Sequence, residues 1–264
     1  MNDRLYIDKQ KISLNSSQNV CQYIDCVTGR LLTMIGEFHD ESFSCGKNSL
    51  NISQYCKERL EKNSNCKIML EYHSYMKSTP SGINSEPIRE LSQLQNKYQK
   101  RICGWDTRWK HLNKNNLHGQ DTLYYGSFKK LGKEKINQMF LKPCKDVLVD
   151  VDSKKYSSKA LKILKKYKEK LKNKMNRINI NSNDLRYKLK DLWMQAADYE
   201  ILKKMLINNN DINEIIVVAG RYHVDNLCPV LSKVLQKVNT GNINREKKCV
   251  KVFVPATISD LCKN

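Results

Sequence analysis

The fold that the chain is expected to adopt is decided by one stretch, Glu214-Ile215-Ile216-Val217-Val218-Ala219-Gly220-Arg221-Tyr222-His223. Its apolar residues follow one another without alternation, which is typical of a strand buried on both faces of a parallel sheet. Gly220 ends the run, and the chain then continues into a segment with helical spacing. We therefore expect a buried strand that is followed directly by a helix.

Other apolar runs that are rich in β-branched residues predict further strands, and helical spacings alternate with them. These runs cover residues 20–27, 31–35, 67–70, 101–105, 147–151 and 250–254. The helical spacings cover residues 51–63, 85–100 and 225–238. Strands that alternate with helices indicate an α/β fold, with a mainly parallel β-sheet flanked by helices.

One region contains helical signals only. From residue 157 to about residue 207, apolar residues recur at steps of three and four, with a break at 176–183. This pattern predicts two helices that form a hairpin. We therefore expect residues 1–264 to form a single α/β domain in which residues 153–210 are an inserted, basic helical hairpin.

The net charge of the chain is +20, from 47 Lys and Arg residues against 27 Asp and Glu residues. Half of this excess lies in the stretch that begins at Lys154 and ends at Arg177, where eleven basic residues accompany only Glu169. Such a helix either exposes a solvated face or contacts a nucleic acid or another anionic surface. The sequence leaves both interpretations open.

Composition and patterning argue against a secreted or membrane-embedded protein. No apolar run reaches the roughly 18 to 20 residues that a membrane-spanning helix needs. The first eight residues lack the basic and then apolar layout of a signal peptide. We therefore expect a cytoplasmic protein without a membrane span, whose ten cysteines are free thiols.

Acids, histidines and an arginine follow the predicted strands at their C-terminal ends. In parallel sheets these ends meet at one edge, where ligands bind. Gly36, before two of these residues, would let the chain turn sharply and approach a ligand. The candidate site residues are Glu37, His39, Glu71, Asp106, Arg108 and His223.

Two of the strand ends carry the spacing Gly-x-x-His, as Gly36-Glu37-Phe38-His39 and Gly220-Arg221-Tyr222-His223. Together with Met69-Leu70-Glu71, these motifs resemble the superfamily that joins the erythromycin esterases, the ChaN-like haem-uptake lipoproteins and the Tiki/TraB proteins. Pro229 matches the proline that follows the closing strand of that superfamily. The resemblance extends from about Leu31 to about Leu235, and it implies a hydrolase.

The resemblance implies two ways to hydrolyse an ester or amide bond in a small molecule or a peptide. In the Tiki-like way, His39, Glu71 and His223 hold one divalent ion (Zn, Mn or Co), and Glu37 or Asp106 accepts the proton of the bound water. In the esterase-like way no metal is needed. His39 is then the general base, oriented by Glu37 or Glu71, and Arg108 or His223 stabilises the oxyanion.

Two other classes of function remain open at the level of sequence. The ChaN-like members of the superfamily imply a protein that binds haem or a metal ion without turnover. The basic stretch suggests a nucleic-acid-associated protein that uses its lysine-rich helix on a degenerate enzyme fold.

Overall fold

The structure is a computed structural model, and it describes residues 11–14, 17–25, 27–37, 49–71, 85–106, 132–209, 211–242 and 250–253. The chain divides into two compact units, which are considered one at a time. The first unit comprises Met1–Glu71, Met76–Gly104 and Asn208–Asn264. The second comprises Tyr72–Tyr75 and Trp105–Ile207.

A mainly parallel sheet of six strands organises the first unit. In spatial order the strands are β6 (Ile102–Gly104), β5 (Cys66–Leu70), β7 (Glu214–Gly220), β3 (Arg30–Glu37), β2 (Ser17–Asp25) and β8 (Gln236–Asn242). The strands from β6 to β3 are parallel, whereas β2 and β8 run antiparallel to their neighbours. The α/β fold and the mainly parallel sheet predicted from the sequence are thus confirmed.

A second, smaller sheet joins three short strands of the first unit. Strand β1 (Lys11–Leu14) pairs in parallel with β4 (Ser49–Leu50) and antiparallel with β9 (Val250–Phe253). The strand predicted at 250–254 is therefore present, but it belongs to this small sheet.

Helices accompany the strands of the first unit, and local sequence explains where two of them begin. These helices are α1 (Ile52–Lys62), α2 (Glu86–Gln93), α3 (Gln95–Tyr98) and α8 (Arg221–Leu231). The side chain of Asn51 accepts a hydrogen bond from the Gln54 amide and caps α1. The hydroxyl of Ser85 caps α2 in the same way, and Pro87 occupies its first turn.

The second unit contains the predicted helical hairpin. Its helices are α4 (Lys133–Ile136), α5 (Lys142–Val147), α6 (Ser158–Asn176) and α7 (Leu185–Leu206), and a π-helical turn at Asn137–Leu141 joins the first two. Leu164 and Leu171 of α6 are buried, and the ring of Tyr167 stacks on that of Tyr199 in α7. No helix in the described ranges is long and apolar enough to cross a membrane.

Three predicted elements are wrong in type or extent, and one of them is the helix predicted at 85–100, which is divided into α2 and α3. Residues 147–151 form no strand, because Val147 ends α5 and Val149 is 66% exposed instead of being buried in a sheet. The helix predicted at 225–238 begins earlier, at Arg221, and ends at Leu231. Residues 236–242 are β8, since pairing with β2 outweighs the local helical spacing.

The expectation that all the cysteines are free thiols is wrong. Cys21 on β2 and Cys228 on α8 form a disulfide, with their Cα atoms 6.4 Å apart. Free thiols were therefore the wrong prediction for this pair, because the fold joins two residues that lie 207 positions apart in sequence. Within the part of the chain that the structure describes, Cys56, Cys66 and Cys103 are free thiols.

A buried ion pair ties α1 to the N-terminal end of β7. The Arg59 guanidinium donates from Nε to Oε1 of Glu214 at 2.9 Å and from Nη2 to Oε2 at 2.8 Å. Asn63 Nδ2 donates to the same Oε2 at 2.9 Å. Burial lowers the pKa of Arg59, but its hydrogen bonds and ion pair with Glu214 outweigh burial, so the pKa is raised overall.

Removing one partner of this pair should destabilise the first unit. We expect Arg59→Leu to lower the free energy of unfolding by about 3 to 5 kcal/mol, because Glu214 would remain buried without its guanidinium. Lys62→Ala removes the exposed pair with Glu58 on the same helix and should cost less than about 0.5 kcal/mol. Urea unfolding followed by circular dichroism measures both variants. Equal losses of unfolding free energy in the two variants would contradict the stabilising role of the pair between Arg59 and Glu214.

Candidate functional site

Three of the candidate residues lie at the C-terminal edge of the sheet, within the first unit. Glu37 is the last residue of β3 and pairs in register with Gly220, the last residue of β7. Glu71 directly follows β5, which is the other neighbour of β7. His223 lies in the first turn of α8, which begins where β7 ends. We call Glu37, Glu71 and His223 the edge site.

Glu71 contacts both the start of α8 and the imidazole on it. Its Oε2 accepts a hydrogen bond from the Gly220 amide at 2.7 Å. Its Oε1 lies 3.4 Å from Nε2 of His223. The His223 side chain is 2% exposed and that of Glu71 is 13% exposed, so the pair is largely shielded from solvent.

The position of Glu71 is explained by the helix that it meets. Gly220, the N-cap residue of α8, has no side chain with which to cap the helix. The first amide groups of a helix lack intrahelical partners, and the helix dipole favours negative charge at this end. The Glu71 carboxylate supplies that charge, and it is thereby held against the imidazole of His223.

Glu37 is buried and is held by the N-terminus of α2. Its Oε2 accepts a hydrogen bond from Oγ of Ser85. The same Ser85 Oγ accepts from the Ile88 amide at 3.2 Å. The sequence indicates Ser85 as a helix cap, but it contains no sign of the contact with Glu37, because the two residues are 48 positions apart.

Gly36 has close neighbours on both β2 and α8. It lies inside β3, and a Cβ atom there would come within 1.7 Å of Asn19 Oδ1 and within 3.1 Å of the Arg221 Cα. A side chain at this position would displace that of Asn19 and crowd the backbone of Arg221 at the start of α8. The sharp turn and close approach to a ligand that we expect at Gly36 stay a prediction.

Asp106 is buried, and it belongs to the second unit. The preceding residue, Trp105, accepts a hydrogen bond through its carbonyl oxygen from Lys204 Nζ at 2.7 Å. Lys204 Nζ also lies 3.4 Å from Oε1 of Glu200, so α7 anchors the segment that carries Asp106. His39 and Arg108 lie outside the described residues.

The described ranges contain no group of three His, Cys, Asp or Glu side chains placed to hold a metal ion. Glu71 and His223 are two of the three ligands that the family resemblance implies, and His39 is the third. Comparisons of the chain with protein-family models, with curated proteins and with solved structures found no match. The resemblance to the esterase, ChaN and Tiki superfamily therefore stays a prediction.

The contribution of the contact between Ser85 and Glu37 to the free energy of unfolding can be measured by comparing Ser85 with Ser157, the cap of α6. Ser157 caps α6 by accepting from the Ala160 amide at 3.2 Å, the same distance as in the cap of α2. We expect Ser157→Ala to lower the free energy of unfolding by about 1 kcal/mol, the usual cost of a lost cap. Ser85→Ala should cost about 1.5 to 3 kcal/mol more, because a buried carboxylate also loses a hydrogen bond.

Thermal and urea unfolding of the two variants provide this comparison. Similar losses of unfolding free energy for Ser85→Ala and Ser157→Ala would mean that the hydrogen bond from Ser85 to Glu37 adds nothing to stability.

Proposed function

We propose that this protein is a hydrolase that cleaves an ester or amide bond at the edge site. The observation that carries the proposal is the contact between Glu71 and His223, with Glu71 held by the Gly220 amide. A carboxylate next to an imidazole fixes its tautomer and stabilises the charge that it gains as a base. This arrangement suits the activation of a water molecule.

In the proposed reaction, Glu71 orients the ring through Nε2, and the ring takes a proton from water at Nδ1. The water oxygen forms a bond to the carbonyl carbon of the substrate, and the carbonyl electrons move to its oxygen to give a tetrahedral oxyanion. When this intermediate collapses, the bond to the leaving alcohol or amine breaks. The imidazolium of His223 returns its proton to that leaving group.

We assign the general base to His223 because Glu71 contacts this imidazole. The sequence-based expectation gave that role to His39. His39 and Arg108 keep a place in the proposal through the family resemblance, which implies a second imidazole and a guanidinium that stabilises the oxyanion. Glu37, buried at the end of the neighbouring strand, supplies a further carboxylate to the edge site.

The donor chemistry of the edge site also suits a divalent metal ion. Glu71 Oε1 and His223 Nε2 lie 3.4 Å apart and are a carboxylate oxygen and an imidazole nitrogen, two kinds of donor that bind zinc. Glu71 and His223 would hold the ion together with His39. A bound ion of this kind lowers the pKa of its water to about 7. Glu37 would then accept the proton.

Loss of either member of the pair should abolish most turnover. We expect His223→Ala and Glu71→Gln to lower kcat/KM by at least about 100-fold, because general-base catalysis contributes roughly 10²- to 10⁴-fold. Glu58→Gln changes a partly exposed glutamate on α1 in the same manner and serves as the control. The measurement uses a panel of p-nitrophenyl esters and fluorogenic peptides.

Full turnover in His223→Ala would refute the proposed role of His223. Metal analysis of the wild-type protein, purified without chelators, distinguishes the two ways of activating water. If a bound metal is lost in His223→Ala, the metal-assisted way is supported.

A second candidate function rests on the exposed face of α6. The lysines of this face are exposed and form no ion pair within the described ranges, and they are Lys159, Lys162, Lys165, Lys166 and Lys170. The opposite side of the helix, with Leu164 and Leu171, is buried. A helix that lies on a membrane inserts an apolar face, which α6 does not have available. We therefore favour a nucleic acid as the partner of this face.

Neutralising the face should weaken binding to nucleic acid and reduce its dependence on salt. We expect simultaneous Lys→Gln changes at 162, 165, 166 and 170 to reduce the slope of log K against log salt by about 3 to 4, since each phosphate contact contributes about 0.9. The control carries the same change at the exposed lysines 57, 62, 97 and 100 of the first unit. Fluorescence anisotropy with labelled duplex DNA and single-stranded RNA gives the slopes.

Binding to phosphatidylserine vesicles without binding to either nucleic acid would favour the membrane instead. Equal loss in the control variant would show that net charge matters and that the α6 face is not a specific surface.

A further inference from the structure

Alternate residues of β2 contact α8, the helix that carries His223. Asn19 Nδ2 donates to Asp225 Oδ1 at 2.5 Å, and the Tyr23 hydroxyl donates to the Cys228 carbonyl oxygen at 2.7 Å. Between them, Cys21 forms the disulfide with Cys228. Because side chains alternate along a strand, these three side chains lie on one face of the sheet. We call Asn19, Cys21 and Tyr23 the β2 clamp.

His223 lies on a different side of the same helix from the residues that the clamp holds. At about 100° per residue, it is rotated by roughly 160° from Asp225 and by roughly 140° from Cys228. Helix α8 is therefore held by β2 on one side and by Glu71 on the other. A shift of the helix away from β2 would change the distance between His223 and Glu71.

The three contacts of the clamp differ in strength and in reversibility. The hydrogen bond from Asn19 reaches a carboxylate that is half exposed, and the bond from Tyr23 reaches a backbone carbonyl. The disulfide is the one covalent link of the clamp, and a reductant can open it while both hydrogen bonds persist. Opening it would loosen α8 without removing every contact with the sheet.

We propose that the Cys21–Cys228 disulfide positions His223 against Glu71, and that its reduction lowers the activity of the edge site. In the reduction, a thiolate of a dithiol reductant attacks one sulfur, and its second thiol resolves the mixed disulfide. Two electrons and two protons pass to Cys21 and Cys228 as thiols, and the reductant leaves as a disulfide. The effect on activity rests on the proposed hydrolase, whereas the effect on His223 does not.

The test compares oxidised wild-type protein, wild-type protein treated with dithiothreitol, and the variants Cys21→Ala, Cys228→Ala and the double variant. We expect kcat to fall at least tenfold in all the reduced or substituted forms, with KM changed less than about threefold, because small misplacement of a catalytic group is costly. The two single variants, the double variant and the reduced protein should agree, since each lacks the same bond. Dithiothreitol should have no further effect on the double variant.

A second readout follows His223 directly and needs no substrate. In ¹H–¹³C NMR spectra of the protein, the ring signal that is missing in His223→Ala identifies this residue. We expect its chemical shift and its pH titration to change on reduction, and hydrogen exchange of the α8 amides to accelerate at least tenfold. Cys103→Ala, which changes a free and partly exposed cysteine, should leave both readouts as in the wild type.

The inference is overturned if peptide mapping without reductant finds no linkage between Cys21 and Cys228. It is also overturned if reduction leaves the His223 signal and the exchange of α8 unchanged. Absence of turnover in the oxidised protein, together with a redox-dependent His223 signal, would instead contradict the proposed hydrolase and leave the positioning role standing.

Discussion

The parallel pairing of β7 with β5 on one side and with β3 on the other is the constraint on which the rest of the first unit depends. Parallel strands end at the same edge of a sheet, so residues distant in sequence meet there. The register places Glu37 opposite Gly220, and it leaves Glu71 within hydrogen-bonding distance of the Gly220 amide. The edge site is thus a direct consequence of strand pairing.

The two ends of β7 are stabilised by different chemistry. At its N-terminal end, Glu214 is fully buried and accepts hydrogen bonds from the buried Arg59 and from the partly buried Asn63. At its C-terminal end, Glu71 meets a helix N-terminus and an imidazole, and it keeps some exposure to solvent. A fully paired charge is suited to structure, whereas a carboxylate beside an imidazole is suited to proton transfer.

Helix α8 connects the edge site with the β2 clamp. It carries His223, and it is also the helix to which β2 is joined by hydrogen bonds and the disulfide. Helix α8 and strand β2 pack closely, since the side chain of Asn19 fills the space beside Gly36 and donates a hydrogen bond to Asp225. The proposed activity and the proposed effect of the disulfide both depend on where this helix lies.

Sequence patterns predicted much of the fold because they reflect local chemistry. The unbroken apolar run before Gly220, the cap at Ser85 and the helical spacing between 157 and 207 each record a preference of neighbouring residues. Patterns failed where a distant partner decides the outcome. The helical spacing predicted as far as residue 238 is interrupted at residue 236, where the chain pairs with β2, and Val147 of the apolar run at 147–151 ends α5.

The sequence by itself determined the α/β class, the buried strands and the acids and histidines that follow them. Only the tertiary structure decided which of these residues meet: Glu71 with His223, Glu37 with Ser85, and Cys21 with Cys228. The physical reason is that strand and helix signals arise from residues a few positions apart. Contacts across 48 to 207 positions depend on the register and packing of the whole sheet.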